Sequence, residues 1–308
     1  MPNRFEIFSD EFRRILGPSP ELKLLASGLR FAEGVCWVER AGHLIVTDFP
    51  NDRIMKWTER DGLSVFRQPA SRANGGTTDL EGRLISCLTT GRSVVRLEHD
   101  GTLTTVADRY QGGRLTSPND VVVKSDGSIW FTDPDYGFLC PVDFGHGDKP
   151  EQDRNRVYRV EPESGTIAAV SEDFDKPNGL AFSPDESVFY VGDTGRTHGA
   201  FRPHQVMAFD VTENGTALAN PRVFAVIEPW VPDGFRVDVD GNLYITAGDG
   251  IQVFNPKGEM LGKILTPEVA ANCSFGMSDN QTLFIGATTS VWSIKLNTSG
   301  VTNKTRKK

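Results

Sequence analysis

Six dipeptides recur along this 308-residue chain in fixed register with a downstream strand pattern: Glu33-Gly34, Asn74-Gly75, Asn119-Asp120, Asn178-Gly179, Asp233-Gly234 and Phe275-Gly276. They read as short turns. Each is followed by an apolar run ending in a small or acidic residue: Leu44 to Asp48, Leu84 to Cys87, Ile129 to Asp133, Val188 to Asp193, Leu243 to Ala247 and Leu283 to Ala287. The offset from dipeptide to run end is 15, 13, 14, 15, 14 and 12 residues, and the dipeptides are spaced by 41, 45, 59, 55 and 42. A period of this length with a strand-rich repeat predicts an all-β, six-bladed β-propeller, in which equivalent positions converge on one axis.

The repeat spans residues 30 to 295 and leaves no room for a second domain, so one domain is expected over 1–308. Apolar runs are short, and 31 Gly and 18 Pro punctuate them, as in an all-β chain rich in tight turns. Residues 8–17 predict a short helical cap, with Ser9 at its N-cap, Phe12, Ile15 and Leu16 on one face, and Gly17-Pro18 as its stop. Residues 297–308, which end in a basic cluster, predict a disordered tail.

A net charge of −8 argues against a basic nucleic-acid surface, and no run approaches the roughly 20 apolar residues that cross a bilayer. The start shows no signal-peptide pattern, which makes a cytoplasmic protein the expectation. Cys36, Cys87, Cys140 and Cys273 lie far apart with no C-x-x-C pair, and read as separate reduced thiols.

Convergence on the axis would bring Glu33, Asn74, Asn119, Asn178 and Asp233 into one small space. Two carboxylates and three amides, with no His or Cys, form a hard oxygen cage. Ca²⁺ is the expected ion, with Mg²⁺, Mn²⁺ or Zn²⁺ as alternatives. Two blades carry insertions, 134–155 and about 195–204, which leave the strand ends after Asp133 and Asp193 and are placed to cover the axial site. Thr89, Arg92, Tyr136 and His146 are candidate contacts for substrate hydroxyls. Asp133 and Asp193 are assigned to strand-end capping one layer behind.

Glu33-Gly34-Val35-Cys36-Trp37, Ala73-Asn74-Gly75, Ser117-Pro118-Asn119-Asp120-Val121, Ile129 to Pro134, Pro177-Asn178-Gly179-Leu180 and Pro232-Asp233-Gly234 resemble the motifs of the senescence-marker-protein/gluconolactonase (regucalcin-like) family, in its bacterial sugar-lactonase form. The resemblance covers nearly the whole chain in order. It implies hydrolysis of a lactone with one divalent cation, with Glu33, Asn178 and Asp233 matching the metal ligands. Asn119 matches a residue that binds metal in some members and substrate in others, and Asn74 is a substrate contact. Thr89 stands where many bacterial members have His in Cys-Glu-His-Gly, a departure in the substrate region. The chemistry expected is attack of water on the lactone carbonyl, with Asp233 as base; direct attack by Asp233 is the alternative. A phosphotriesterase-like hydrolase on the same cage, or a calcium- or ligand-binding propeller without turnover, are the rival functions. A small lactone is the expected partner, with no nucleic acid or membrane, for a monomer or small homo-oligomer.

Overall fold

Period-two apolar patterning turns each repeat into four antiparallel strands, and the computed structural model, which describes residues 4–139 and 149–302, arranges them as six blades around an axis. The innermost strands are Ala32–Val38, Ala73–Thr78, Val121–Val123, Pro177–Phe182, Phe235–Val237 and Ala270–Gly276. Each touches the innermost strand of the blade before and after it, so the ring closes.

Closure draws on both ends of the described chain. Leu22–Ser27 pairs antiparallel with Ser290–Lys295, giving the sixth blade its outer strand from the segment that precedes the first blade. Phe5–Ile7 adds a fifth strand to the edge of blade 5, against Met260–Leu265. Neither pairing is visible in local sequence pattern, because the partners lie more than 250 residues apart.

Six apolar clusters occupy the interfaces between neighbouring blades rather than one common centre. The wedge between blades 3 and 4, for example, packs Trp130 against Phe182 and Phe189 at ring distances of 5.2 and 5.0 Å. The axis is thereby left to polar groups.

The helix Asp10–Leu16 forms where expected: the Ser9 hydroxyl accepts the Phe12 N–H at 3.0 Å, and Gly17 ends it at φ 75°. Phe12 is fully buried over Gly262, where a Cβ would come within 2.1 Å of its ring. Residues 297–302 are ordered, contrary to the expected tail. Asn297 N–H donates to Ile15 O at 2.8 Å, Gly300 bridges to Asp238, and Val301 N–H donates to Val237 O at 3.0 Å. That stretch lies against blade 5, where backbone partners offset its weakly apolar composition; residues 303–308 lie outside the described part. No described helix is long and apolar enough to cross a membrane.

Candidate active site

Three of the recurring dipeptides are not turns. Glu33-Gly34, Asn74-Gly75 and Asn178-Gly179 sit inside the first residues of their inner strands, at a shift of register with the next strand. Close approach requires glycine at all three, and at Gly34 a left-handed φ of 54° calls for it as well. A Cβ on Gly34 would lie 2.1 Å from Asn74 O, one on Gly75 2.6 Å from Asn119 O, and one on Gly179 2.2 Å from Asp233 O. Each blade thus rests its glycine on the carbonyl of the next blade's donor residue.

Threonine hydroxyls stitch the same line. Thr47 donates to Asn74 O at 3.2 Å, Thr132 to Asn178 O at 2.8 Å, and Thr246 to Ala271 O at 3.3 Å. This pattern corrects the sixth dipeptide. The position equivalent to Asn74 and Asn178 is Ala271, not Phe275, and Asn272 takes the place held by glycine in four other blades. Ala271-Asn272 lacks glycine, so the sequence offered no signal to select it.

Aspartates at the strand ends fix the segments that lead into three donors. Asp48 Oδ1 accepts Arg30 N–H at 2.9 Å and Phe31 N–H at 3.3 Å ahead of Glu33. Asp133 accepts Thr116 N–H at 2.8 Å and Ser117 N–H at 2.7 Å ahead of Asn119. Asp193 accepts Asp175 N–H at 2.9 Å and Lys176 N–H at 3.0 Å ahead of Asn178. In every case the clamped amides lie three and two residues before the donor. Asp133 is fully buried, and burial pushes its carboxyl up to about 7 against the pull of the Thr116 and Ser117 amides.

Glu33, Asn119 and Asn178 are buried at one end of the axis, whereas Asn74 and Asp233 keep partial contact with solvent. Glu33 Oε2 accepts Gly34 N–H at 3.1 Å and the Asn272 amide at 3.2 Å. Burial raises the Glu33 carboxyl, and these two donors only partly oppose it. Asp233 is raised well above the carboxylate range by burial, then by the negative charges of Glu33 and Asp120, with the Asn178 amide acting the other way. Asp120, beneath them, is pushed up to about 6 by burial despite the Arg236 guanidinium 4.0 Å away.

Two carboxyls whose negative charges oppose one another's ionisation suit a positive ion. Among the described residues no three His, Cys, Asp or Glu side chains converge as a cation site, so a cation here depends on amide oxygens beside Glu33 and Asp233. The donor set of Glu33, Asn119, Asn178 and Asp233 is oxygen throughout and fits a hard divalent ion.

The remaining candidates fall on the side of blades 2 to 4. Thr89 is buried and donates to Pro118 O at 3.5 Å, which braces the segment before Asn119. Arg92, a candidate substrate contact, is a buried fastener: Nε donates to Leu115 O at 2.6 Å, Nη1 pairs with Glu151 at 3.2 Å, and Phe138 lies 5.2 Å beneath the guanidinium. Tyr136 joins the two insertions. Its hydroxyl hydrogen-bonds with Thr194 and, at 3.2 Å, with Thr197, and its ring packs on His198 at 5.5 Å. Lys176, buried below, pairs with Asp135 at 3.1 Å and Asp175 at 3.0 Å. His146 lies outside the described residues, as does Cys140; Cys36, Cys87 and Cys273 are free and buried.

The model of the SMP-30/Gluconolactonase/LRE-like region matches residues 31–289. The chain belongs to this family. A gluconolactonase of Zymomonas mobilis is 31% identical over 95% of this chain and 86% of its own. The solved gluconolactonase of Xanthomonas campestris is 34% identical, with a TM-score of 0.88 over 96% of this chain and 95% of that one. A calcium-binding regucalcin from Agrobacterium tumefaciens, at 15% identity and a TM-score of 0.70 over 90% of this chain and 94% of its own, shares the fold. These relationships make this family member an enzyme of the lactonase kind.

Proposed function

We propose that the protein opens the ester ring of a sugar lactone, with gluconolactone as the model substrate, in a cation-dependent hydrolysis at the axial end formed by Glu33, Asn119, Asn178 and Asp233. The carrying observation is the Glu33–Asp233 pair, Glu33 buried and Asp233 partly open to solvent, in which burial raises both carboxyls and the Glu33 charge raises Asp233 further. The named gluconolactonases supply the substrate class.

A divalent ion held there, Ca²⁺ in this reading, would supply positive charge that keeps both carboxylates ionised and would polarise a carbonyl. Asp233, partly open to solvent, takes a proton from a water as that water's oxygen attacks the lactone carbonyl carbon. The ring C–O bond then breaks, and the proton held by Asp233 passes to the departing ring oxygen, so the net change is one water added across the ester. Glu33 stays buried and deprotonated as a counter-charge. Asn119 and Asn178 orient oxygens of the substrate or complete the cage. Tyr136, tying one insertion to the other, walls the side of blades 3 and 4.

Acid release from aldonolactones, corrected for spontaneous opening, tests this reading. Chelator-treated protein should be inactive, Ca²⁺ should restore turnover, and Asp233→Asn should bind the ion yet turn over roughly 10²–10⁴-fold more slowly. Full activity after exhaustive chelation would refute the cation dependence.

A further inference from the structure

The sixth blade gives the axial ring no donor, since its equivalent residue is Ala271. What it gives instead is Asn272, one position later, where Gly34, Gly75, Gly179 and Gly234 stand in four other blades. We propose that Asn272 is a positioning residue of the cation site: its amide holds the Glu33 carboxylate from beneath, committing Oε2 to protein donors and reserving Oε1 for the bound ion.

Three observations carry this. Asn272 Nδ2 donates to Glu33 Oε2 at 3.2 Å, beside the Gly34 N–H at 3.1 Å, so these two donors meet one oxygen, while the Asp233 carboxyl also lies against the Glu33 side chain. Room for the amide is made by its neighbour: a Cβ on Gly234 would sit 2.4 Å from Asn272 Nδ2, and only glycine there admits it. Asn272 also bears a cost that packing does not explain. It is 2% exposed, and its Oδ1 has no hydrogen-bond partner. A carboxylate accepts only from the amide nitrogen, so holding Glu33 turns Oδ1 into a place without a donor. Asn is retained at that cost because the hold on Glu33 is what the position supplies. Outer groups of this kind, which orient a ligand without touching the metal, typically govern affinity by 10–100-fold.

This inference rests on the cation reading, and the experiment separates the two. Ca²⁺ affinity would be measured by calorimetry on purified wild-type, Asn272→Ala and Asn272→Leu proteins, with the melting temperature of each read in chelator. Leucine keeps the volume while removing the donor, so it guards against a collapse caused by the cavity alone. Affinity about 10–100-fold weaker in both variants, with the chelator-state melt unchanged or higher, is the expected result. Affinity within twofold of wild type overturns the proposal. If wild type binds no Ca²⁺, the cation reading fails, and metal-free crystals of wild type and Asn272→Ala then decide the role of Asn272. A Glu33 carboxylate that swings away in the variant supports the hold, and one that stays in place overturns it.

Discussion

The Asp133 carboxylate accepts the backbone N–H of Ser117 at 2.7 Å, and through that one bond the end of a middle strand sets the approach to Asn119. Thr116 N–H is taken by the same side chain at 2.8 Å. Asp133→Ala would leave two buried amides without an acceptor, a loss of roughly 2–6 kcal/mol at 1–3 kcal/mol for each unsatisfied group. Asp133→Asn keeps one acceptor oxygen and should lose about half as much. Denaturant melts measure the difference, and lactone turnover at saturating cation should fall with it as Asn119 loses its approach.

Metal-free protein should lose stability as pH rises. Glu33, Asp233 and Asp120 all have folded values above those of an unfolded chain, the last at about 6. Groups raised in this way contribute stability that is fully present below the unfolded carboxylate value near 4 and is lost as pH climbs through the folded values. Melts in chelator from pH 4.5 to 8 should therefore slope downward on the alkaline side. Added Ca²⁺ should flatten the slope and raise the melt, by about 2.7 kcal/mol at 100 times its dissociation constant. A melt in chelator that rises steadily to pH 8 would contradict the raised carboxyls.

Gly179→Ala places a methyl 2.2 Å from Asp233 O, and the nearby Gly234 Cα at 2.9 Å leaves no direction of escape. Blades 4 and 5 would have to separate where two donors meet. A destabilisation of about 3 kcal/mol or more is expected, at the upper end for a single substitution, together with weaker cation binding. Chemical denaturation and calorimetry on the same preparation would show whether the two losses travel together.

Tyr136→Phe removes one hydroxyl and leaves the ring on His198. Its bonds to Thr194 and Thr197 are replaceable by water, so stability should fall by no more than about 1 kcal/mol. If the joined insertions shape the mouth of the site, KM for an aldonolactone should rise several-fold while kcat changes less. Equal KM values would make Tyr136 a brace alone.

The donor residues on five blades were legible because each carries an oxygen beside a Gly or Asp in one register, and Glu33, a poor turn former, fits no simpler account. Their glycines were misread as turn formers, since sequence does not show that another blade's carbonyl lies where a Cβ would go. Asn272 was missed for a related reason: Ala271-Asn272 breaks the dipeptide pattern, while Phe275-Gly276 keeps it. Arg92 read as a candidate contact for substrate hydroxyls, and only the fold reveals Leu115, Glu151 and Phe138 closing around it. Strand-end aspartates were legible as supports, but not the amides that they grip, because those lie 16 to 18 residues earlier in the chain.

Pairing of Leu22–Ser27 with Ser290–Lys295 also governs when the enzyme can come alive. Glu33 belongs to the first blade and the amide that holds it to the last, 239 residues away. A growing polypeptide carries Glu33 long before Asn272, and until the sixth blade emerges that side chain has, of the Gly34 and Asn272 donors, only the first. A chain that lacks the sixth blade should therefore bind the cation more weakly than the closed ring, and calorimetry on such a truncation would show it. Breaking and rejoining the polypeptide between two blades should leave the finished catalyst intact while reassigning which of its parts has to wait.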